Sequence, residues 1–193
     1  LEHFPATLVP RATWDAALLV AWAALMWGWF LARLGRMAED RFARGLLGAC
    51  AFGLGVFSIV PTVAAYHVMD EVLGIRPDGT PLRDLFHYVL SVGLREEFFK
   101  AACAAVLLPW LWKRKSRLDA LVAGSFVGLG FAAEENLGYV AAGGGAAALG
   151  RFLTANPLHA FTTGLVTLAL YDVRHSRARG AENALNTFAI VVL

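Results

Sequence analysis

The chain has 193 residues, of which 58% are hydrophobic and 17% are charged, with a mean hydropathy of +0.57 and a formal net charge of +2. A soluble domain normally carries about 25% charged and 45–50% apolar residues, so this composition excludes an ordinary soluble globular protein. The small net charge gives no indication of a nucleic-acid partner. Cys50 and Cys103 both lie in apolar segments, which excludes a disulfide framework or zinc-finger spacing.

The apolar residues fall in blocks of about 20, the length that a helix needs to cross a lipid bilayer. The sequence therefore predicts an all-α fold, a polytopic helical membrane bundle that forms a single integral-membrane domain over residues 1–193. Because the sequence begins with Leu1 and ends on half a span, we expect both ends to continue in a longer protein. We predict five full spans at 14–34, 45–68, 85–112, 118–142 and 151–172, and an incomplete sixth at 184–193.

The connectors between these spans differ in charge and composition. The first, third and fifth connectors hold eleven Lys or Arg residues, whereas the other connectors and the N-terminal stretch hold four. By the positive-inside rule the first, third and fifth connectors are cytoplasmic. The segment AAGGGAAALG, residues 141–150, is predicted to be a flexible loop on the opposite side.

Three of the predicted spans contain polar or ionisable residues. On insertion-type scales a charge at the bilayer centre costs about 2.5–3.5 kcal/mol, so such residues indicate a functional site. The residues are Glu96, Glu97 and Lys100 in the third span, Glu134, Glu135 and Asn136 in the fourth, and Asn156, His159, Thr162 and Thr163 in the fifth.

Depth and helical spacing predict that these residues meet. At 1.5 Å per residue, Glu96, Glu135 and His159 lie about 16, 10 and 12 Å from the outer ends of their spans, all in the outer half of the bilayer. Lys100 is four residues from Glu96 and three from Glu97, so one ammonium can neutralise one carboxylate and leave the other to act.

One face of the fourth span begins with two glycines and ends with Glu135. This stripe has the small-xxx-small pattern that lets a neighbouring helix approach closely, so the face that packs also carries the carboxylate. Its members are Gly124, Gly128, Phe131 and Glu135, and the same-face residues of the fifth span are Asn156, His159 and Thr163.

Several functions fit such a cluster. A glutamate that is removed from water and held by one lysine suits a general base, and an imidazole can share a proton, orient water or bind a metal ion. No Ser or Cys stands beside His159 at the spacing of a nucleophile, so attack by water on an amide fits better than a covalent intermediate. Alternatively, the charges could only fix helix register in a scaffold, or form the proton relay of a transporter. A relay would be spread across the bilayer.

Three ordered motifs resemble those of the PrsW-type intramembrane proteases. They are EEFFK at 96–100, GLGFAAEEN at 128–136 and PLHAFTTG at 157–164. This family is distantly related to the CAAX prenyl-protease and bacteriocin-processing membrane family, in which Phe-xxx-His and His-xxx-Asn follow the glutamate pair. The corresponding positions here are Phe131-xxx-Glu135 and His159-xxx-Thr163, and the resemblance covers residues 91–164.

The resemblance implies a protease of the bacterial inner (plasma) membrane, with a water-filled cavity in the outer half of the bilayer. Its substrate would be a single-span membrane protein such as an anti-sigma factor. The residues implied as catalytic are Glu96, Glu97, Lys100, Glu135, Asn136 and His159.

The cofactor is left open by the same resemblance: none, or a divalent metal such as zinc. The sequence has no compact ligand motif such as HExxH. If a metal is bound, the expected ligands are Glu97, Glu135 and His159. Members of the family usually have a further histidine in a last span, and this sequence ends before that position.

Overall fold

The structure is a computed structural model that describes residues 14–34, 41–174 and 180–192. This part of the chain is helical and contains no strand, which confirms the predicted all-α fold. The elements are α1 (Trp14–Leu34), α2 (Arg41–Tyr66) with a first π segment (His67–Val72), α3 (Pro81–Phe86) with a second π segment (His87–Leu94), α4 (Arg95–Ala105), α5 (Leu108–Arg114), α6 (Arg117–Leu153), α7 (Ala155–Val173) and α8 (Gly180–Val192).

Among the helices that the structure describes, two stretches are long and apolar enough to cross a membrane, Ala16–Leu34 and Gly45–Val72. They correspond to the first two predicted spans. The later predicted spans carry the ionisable residues or are divided by turns, and their number stays a prediction. Parts of the first and fifth predicted connectors, at 35–40 and 175–179, lie outside the described residues.

The third predicted span is not one continuous α-helix. Its N-terminal part is the second π segment, and a turn at Val106 and Leu107 separates α4 from α5. Pro109 lies in the first turn of α5, where its missing N–H leaves no helical hydrogen bond unmade. Proline therefore explains where the new helix begins.

The predicted loop at 141–150 is wrong in one respect, because the helical backbone continues through it to Leu153. Alanine, the strongest helix former, dominates this segment. Helix α6 is nevertheless bent, because the Arg151 guanidinium contacts the Glu135 carboxylate. A straight helix would separate these two residues by about 24 Å. Glycines 143–145 lie between them, and glycine is a common cause of sharp helix bends.

Helix α6 is the centre of the bundle and packs against α1, α2 and α7. A Cβ atom added at Gly130 would overlap the Phe52 carbonyl of α2, and one added at Gly128 would overlap the His159 carbonyl of α7. The predicted glycine stripe therefore does face α7. The backbones of α6 and α7 touch at the level of His159.

This close approach predicts that Gly128→Ala destabilises the protein. The added methyl group must displace the His159 backbone, and overpacking of this kind costs about 1–3 kcal/mol. Gly53→Ala is the matched control, because its Cβ would meet no atom within 4 Å. Thermal unfolding in detergent should separate the two variants, and equal midpoints would contradict the observed packing.

Candidate active site

Lys100 is the centre of the polar cluster. Its side chain is fully buried, and its Nζ lies 2.5 Å from Glu97 Oε1, 2.9 Å from His159 Nδ1 and 3.9 Å from Glu96 Oε2. The same ammonium lies 4.4 Å from the centroid of the Phe131 ring, within the range of a cation–π interaction. One lysine thus joins side chains of α4, α6 and α7.

His159 links Lys100 to Glu135. The imidazole Nε2 lies 3.1 Å from Glu135 Oε2, and the ring packs against Phe131 with 5.3 Å between centroids. Arg151 Nη2 donates to the same Glu135 oxygen. Glu135 is therefore held by a histidine on one side and an arginine on the other.

These partners fix the protonation of the His159 ring. An ammonium has three N–H donors and no acceptor, so His159 Nδ1 must accept the hydrogen bond from Lys100. The proton of the neutral ring is then on Nε2, which donates to the Glu135 carboxylate. The geometry thus assigns the Nε2–H tautomer.

Asn136 extends the network to Arg151 and Asn156. Arg151 Nε donates to Asn136 Oδ1, and Asn136 Nδ2 donates to Asn156 Oδ1 at 2.6 Å. The Arg151 guanidinium also lies 4.0 Å from the centroid of the Tyr139 ring. Asn136 therefore links α6 to α7 and orients Arg151. It does not contact His159 directly but acts through Arg151, which holds Glu135 beside the imidazole.

The structure brings the six predicted site residues into one network; their catalytic role stays a prediction. Arg151 also belongs to this network, although the sequence predicts it only as a charge of the connector. The available signal is that it is the one basic residue predicted between the fourth and fifth spans. Glu134 is half-buried and forms no hydrogen bond or ion pair with the described residues. Thr162 bonds back to carbonyls of its own helix, and Thr163 Oγ1 is buried without a partner in the described part of the chain.

The carboxylates of the cluster differ in accessibility. The Glu96 side chain is 16% exposed, whereas those of Glu97 and Glu135 are 9% exposed. Among the described residues Glu96 accepts no hydrogen bond and has only the 3.9 Å contact to Lys100. Glu97 Oε2 is buried and likewise has no partner within the described ranges. Glu96 is thus the carboxylate most open to a water molecule or a substrate.

The arrangement does not fit a metal ion bound by the three predicted ligands. Lys100 Nζ contacts both Glu97 Oε1 and His159 Nδ1, whereas Glu135 contacts the other ring nitrogen, Nε2, so Glu97 and Glu135 are linked to different nitrogens of the imidazole. Lys100 Nζ already fills the space between Glu97 and His159. In the described part of the chain no group of three His, Cys, Asp or Glu side chains is placed to hold a metal.

The fold and the cluster together define a helical membrane protein with a buried carboxylate–lysine–histidine site. The sequence profile of the PrsW family intramembrane metalloproteases matches residues 43–193, from α2 to the end of the chain. The chain belongs to this family and is an intramembrane peptidase. No curated protein and no solved structure shows significant similarity to it.

The contacts of Arg151 predict that Arg151→Gln lowers the free energy of unfolding of the protein. Removal of the guanidinium leaves the Glu135 carboxylate buried with only His159, and breaking a buried pair costs about 3 kcal/mol or more. Arg117→Gln is the control, because Arg117 pairs with Asp172 at the surface and such pairs contribute at most about 1 kcal/mol. Thermal unfolding of both variants checks this, and equal losses of stability would contradict it.

Proposed function

We propose that this chain hydrolyses a peptide bond of a single-span membrane protein with water activated by Glu96. The observation that carries the proposal is the position of Lys100, which holds Glu97 and His159 and leaves Glu96 as the accessible carboxylate. By the resemblance of its motifs, the substrate would be a protein such as an anti-sigma factor. The charge bias of the connectors supports a site in the outer half of a bacterial inner membrane.

Glu96 acts as the general base in this proposal. It takes a proton from water as the water oxygen attacks the carbonyl carbon of the substrate. Glu97 remains paired with Lys100 during this step, so Glu96 is the carboxylate that takes the proton. Glu96 then returns the proton to the leaving amine as the C–N bond breaks, so the glutamate is regenerated.

Lys100 and His159 provide the electrostatic environment. The buried ammonium places a positive charge beside the carbonyl oxygen that becomes negative in the transition state, and a preorganised charge is effective where water is excluded. Glu135 accepts a hydrogen bond from the Nε2–H group of His159 and so keeps the Nδ1 atom of the ring oriented toward Lys100. Asn136 and Arg151 keep Glu135 in place.

The family is described as one of metalloproteases. Because Lys100 Nζ lies between Glu97 and His159, two of the three predicted ligands, we assign the positive charge that stabilises the transition state to the ammonium. Adding a chelator distinguishes the metal-free mechanism from a metal-dependent one.

Glu96→Gln is predicted to abolish cleavage of a reconstituted single-span reporter while the protein stays folded. Glutamine has a similar shape but cannot accept the proton, so the loss should be at least about 10²-fold for a general base. Glu97→Gln and His159→Ala should also inactivate, and Lys100→Met should lower both activity and stability because it leaves buried carboxylates unpaired. Activity is measured by the appearance of the cleaved fragment.

The control substitution is Glu182→Gln, on the exposed face of α8, which should leave cleavage unchanged. Full activity in Glu96→Gln would overturn the assignment of the base, and full activity in all the cluster variants would show that the cluster is not the catalytic site. Absence of cleavage by the wild-type protein would favour a scaffold or a proton relay. Incubation with EDTA should leave the wild-type rate unchanged. Inactivation by EDTA and recovery with zinc would replace the metal-free mechanism.

A further inference from the structure

A second buried polar cluster lies outside the candidate active site, where the end of α2 meets the beginning of α4. It consists of Asp70, His87, Ser91 and Arg95, each less than a tenth exposed. Removing four polar side chains from both water and lipid is unfavourable unless they satisfy one another. The proposed reaction uses none of them.

Three of these residues form a continuous contact, here named the polar clamp (Asp70, Ser91 and Arg95). The Ser91 hydroxyl donates to Asp70 Oδ1 at 2.6 Å, and Arg95 Nη1 donates to Ser91 Oγ at 3.3 Å. Arg95 Nη1 is also 3.8 Å from Asp70 Oδ1, and the guanidinium lies 5.1 Å from the centroid of the Tyr66 ring. The clamp therefore ties the first residue of α4 to the end of α2.

The connector between the two π segments is attached to the same point. His87 Nδ1 lies 2.8 Å from the Ile75 carbonyl, to which it donates, and its Nε2 is 3.9 Å from Asp70 Oδ2. Arg76 Nε donates to the Asp70 carbonyl at 2.6 Å. Asp70 thus joins the outer connector, α2 and α4.

The clamp joins two stretches of unusual backbone. Asp70 lies in the first π segment and Ser91 in the second, and Arg95 follows the second directly. π-helical turns have i→i+5 hydrogen bonds, are rare and occur frequently at functional sites. Side chains that bind across the two segments give a physical reason for this geometry to persist.

The π geometry determines the rotation of α4 about its own axis. A π turn holds roughly one residue more than an α turn, so its conversion to α geometry would rotate the following helix by about 100°. Glu96 and Glu97 are adjacent and differ in direction by the same angle. The rotation would point each side chain of α4 in the direction that an adjacent residue of the helix has now. It would therefore misplace both carboxylates and carry Lys100 away from His159.

We propose that Arg95 is a positioning residue, and that the polar clamp fixes the rotation of α4 so that Glu97 meets Lys100 and Glu96 remains the accessible carboxylate. This inference rests on the proposed function only in the use of the two glutamates. Arg95 itself does not contact the reacting atoms.

The kinetic test uses Asp70→Asn, Arg95→Gln and the double variant. Misplacement of catalytic groups by about 1 Å can cost 10²-fold, so each variant should lower kcat by about that factor with little change in KM. The single variants leave a charge of the clamp buried and unpaired, whereas the double variant leaves none in the clamp and should be more stable than either single variant. Its kcat should nevertheless stay low.

The matched control is Arg83→Gln, which removes a surface ion pair with Asp78 in the same outer connector. Its kcat should equal that of the wild type. Recovery of kcat together with stability in the double clamp variant would show that the clamp only stabilises the fold, and would overturn the proposal.

A second measurement needs no proteolysis. In a background that carries Cys50→Ala, Cys103→Ala and, so that no buried ammonium is left unpaired, Lys100→Met, Glu97→Cys and His159→Cys should be joined by a short bifunctional thiol reagent, since both native side chains contact Lys100 Nζ. Adding Asp70→Asn and Arg95→Gln should reduce cross-linking about tenfold, because a rotation of about 100° moves position 97 away from α7. Adding Arg83→Gln should not reduce it.

Unchanged cross-linking in the clamp variant would overturn the positioning role, whatever the activity. If the wild-type protein cleaves no reporter but cross-linking depends on the clamp, the proposed function fails and the positioning of α4 stands. The two conclusions are therefore tested separately.

Discussion

The rest of the structure depends on a buried ammonium group. Lys100 has no contact with solvent, and an unpaired charge in such a place would cost several kcal/mol. Its partners are a carboxylate on its own helix, an imidazole on α7 and an aromatic face on α6. The requirement to surround this charge therefore determines how the three helices meet.

Close backbone contact makes this meeting possible. Gly128 lets the His159 backbone lie directly against α6, and a side chain at position 128 would push the imidazole away from Lys100. The bend within α6 then brings Arg151 to Glu135, so the carboxylate on the Nε2 side of the imidazole is also held by a charge. Packing and electrostatics thus specify the same arrangement.

The parts that follow from local spacing could be predicted from the sequence. The first apolar span, the close packing of the glycine stripe against a neighbouring helix and the clustering of Glu97, Lys100 and His159 follow from helical periodicity and matched depth. Arg151 could not be placed in this way, because its contact depends on a bend whose angle no local pattern defines. The π segments were also missed, since they are maintained by long-range contacts such as Ser91 to Asp70.

The protonation of His159 tests the central role of Lys100 most directly. Nitrogen-15 NMR of the protein in lipid bilayers at neutral pH, with the His159 signals assigned by their loss in His159→Gln, reports which ring nitrogen carries the proton. We expect a neutral ring with the proton on Nε2, because Nδ1 accepts a hydrogen bond from the Lys100 ammonium. A proton on Nδ1, or a doubly protonated ring, would contradict this expectation.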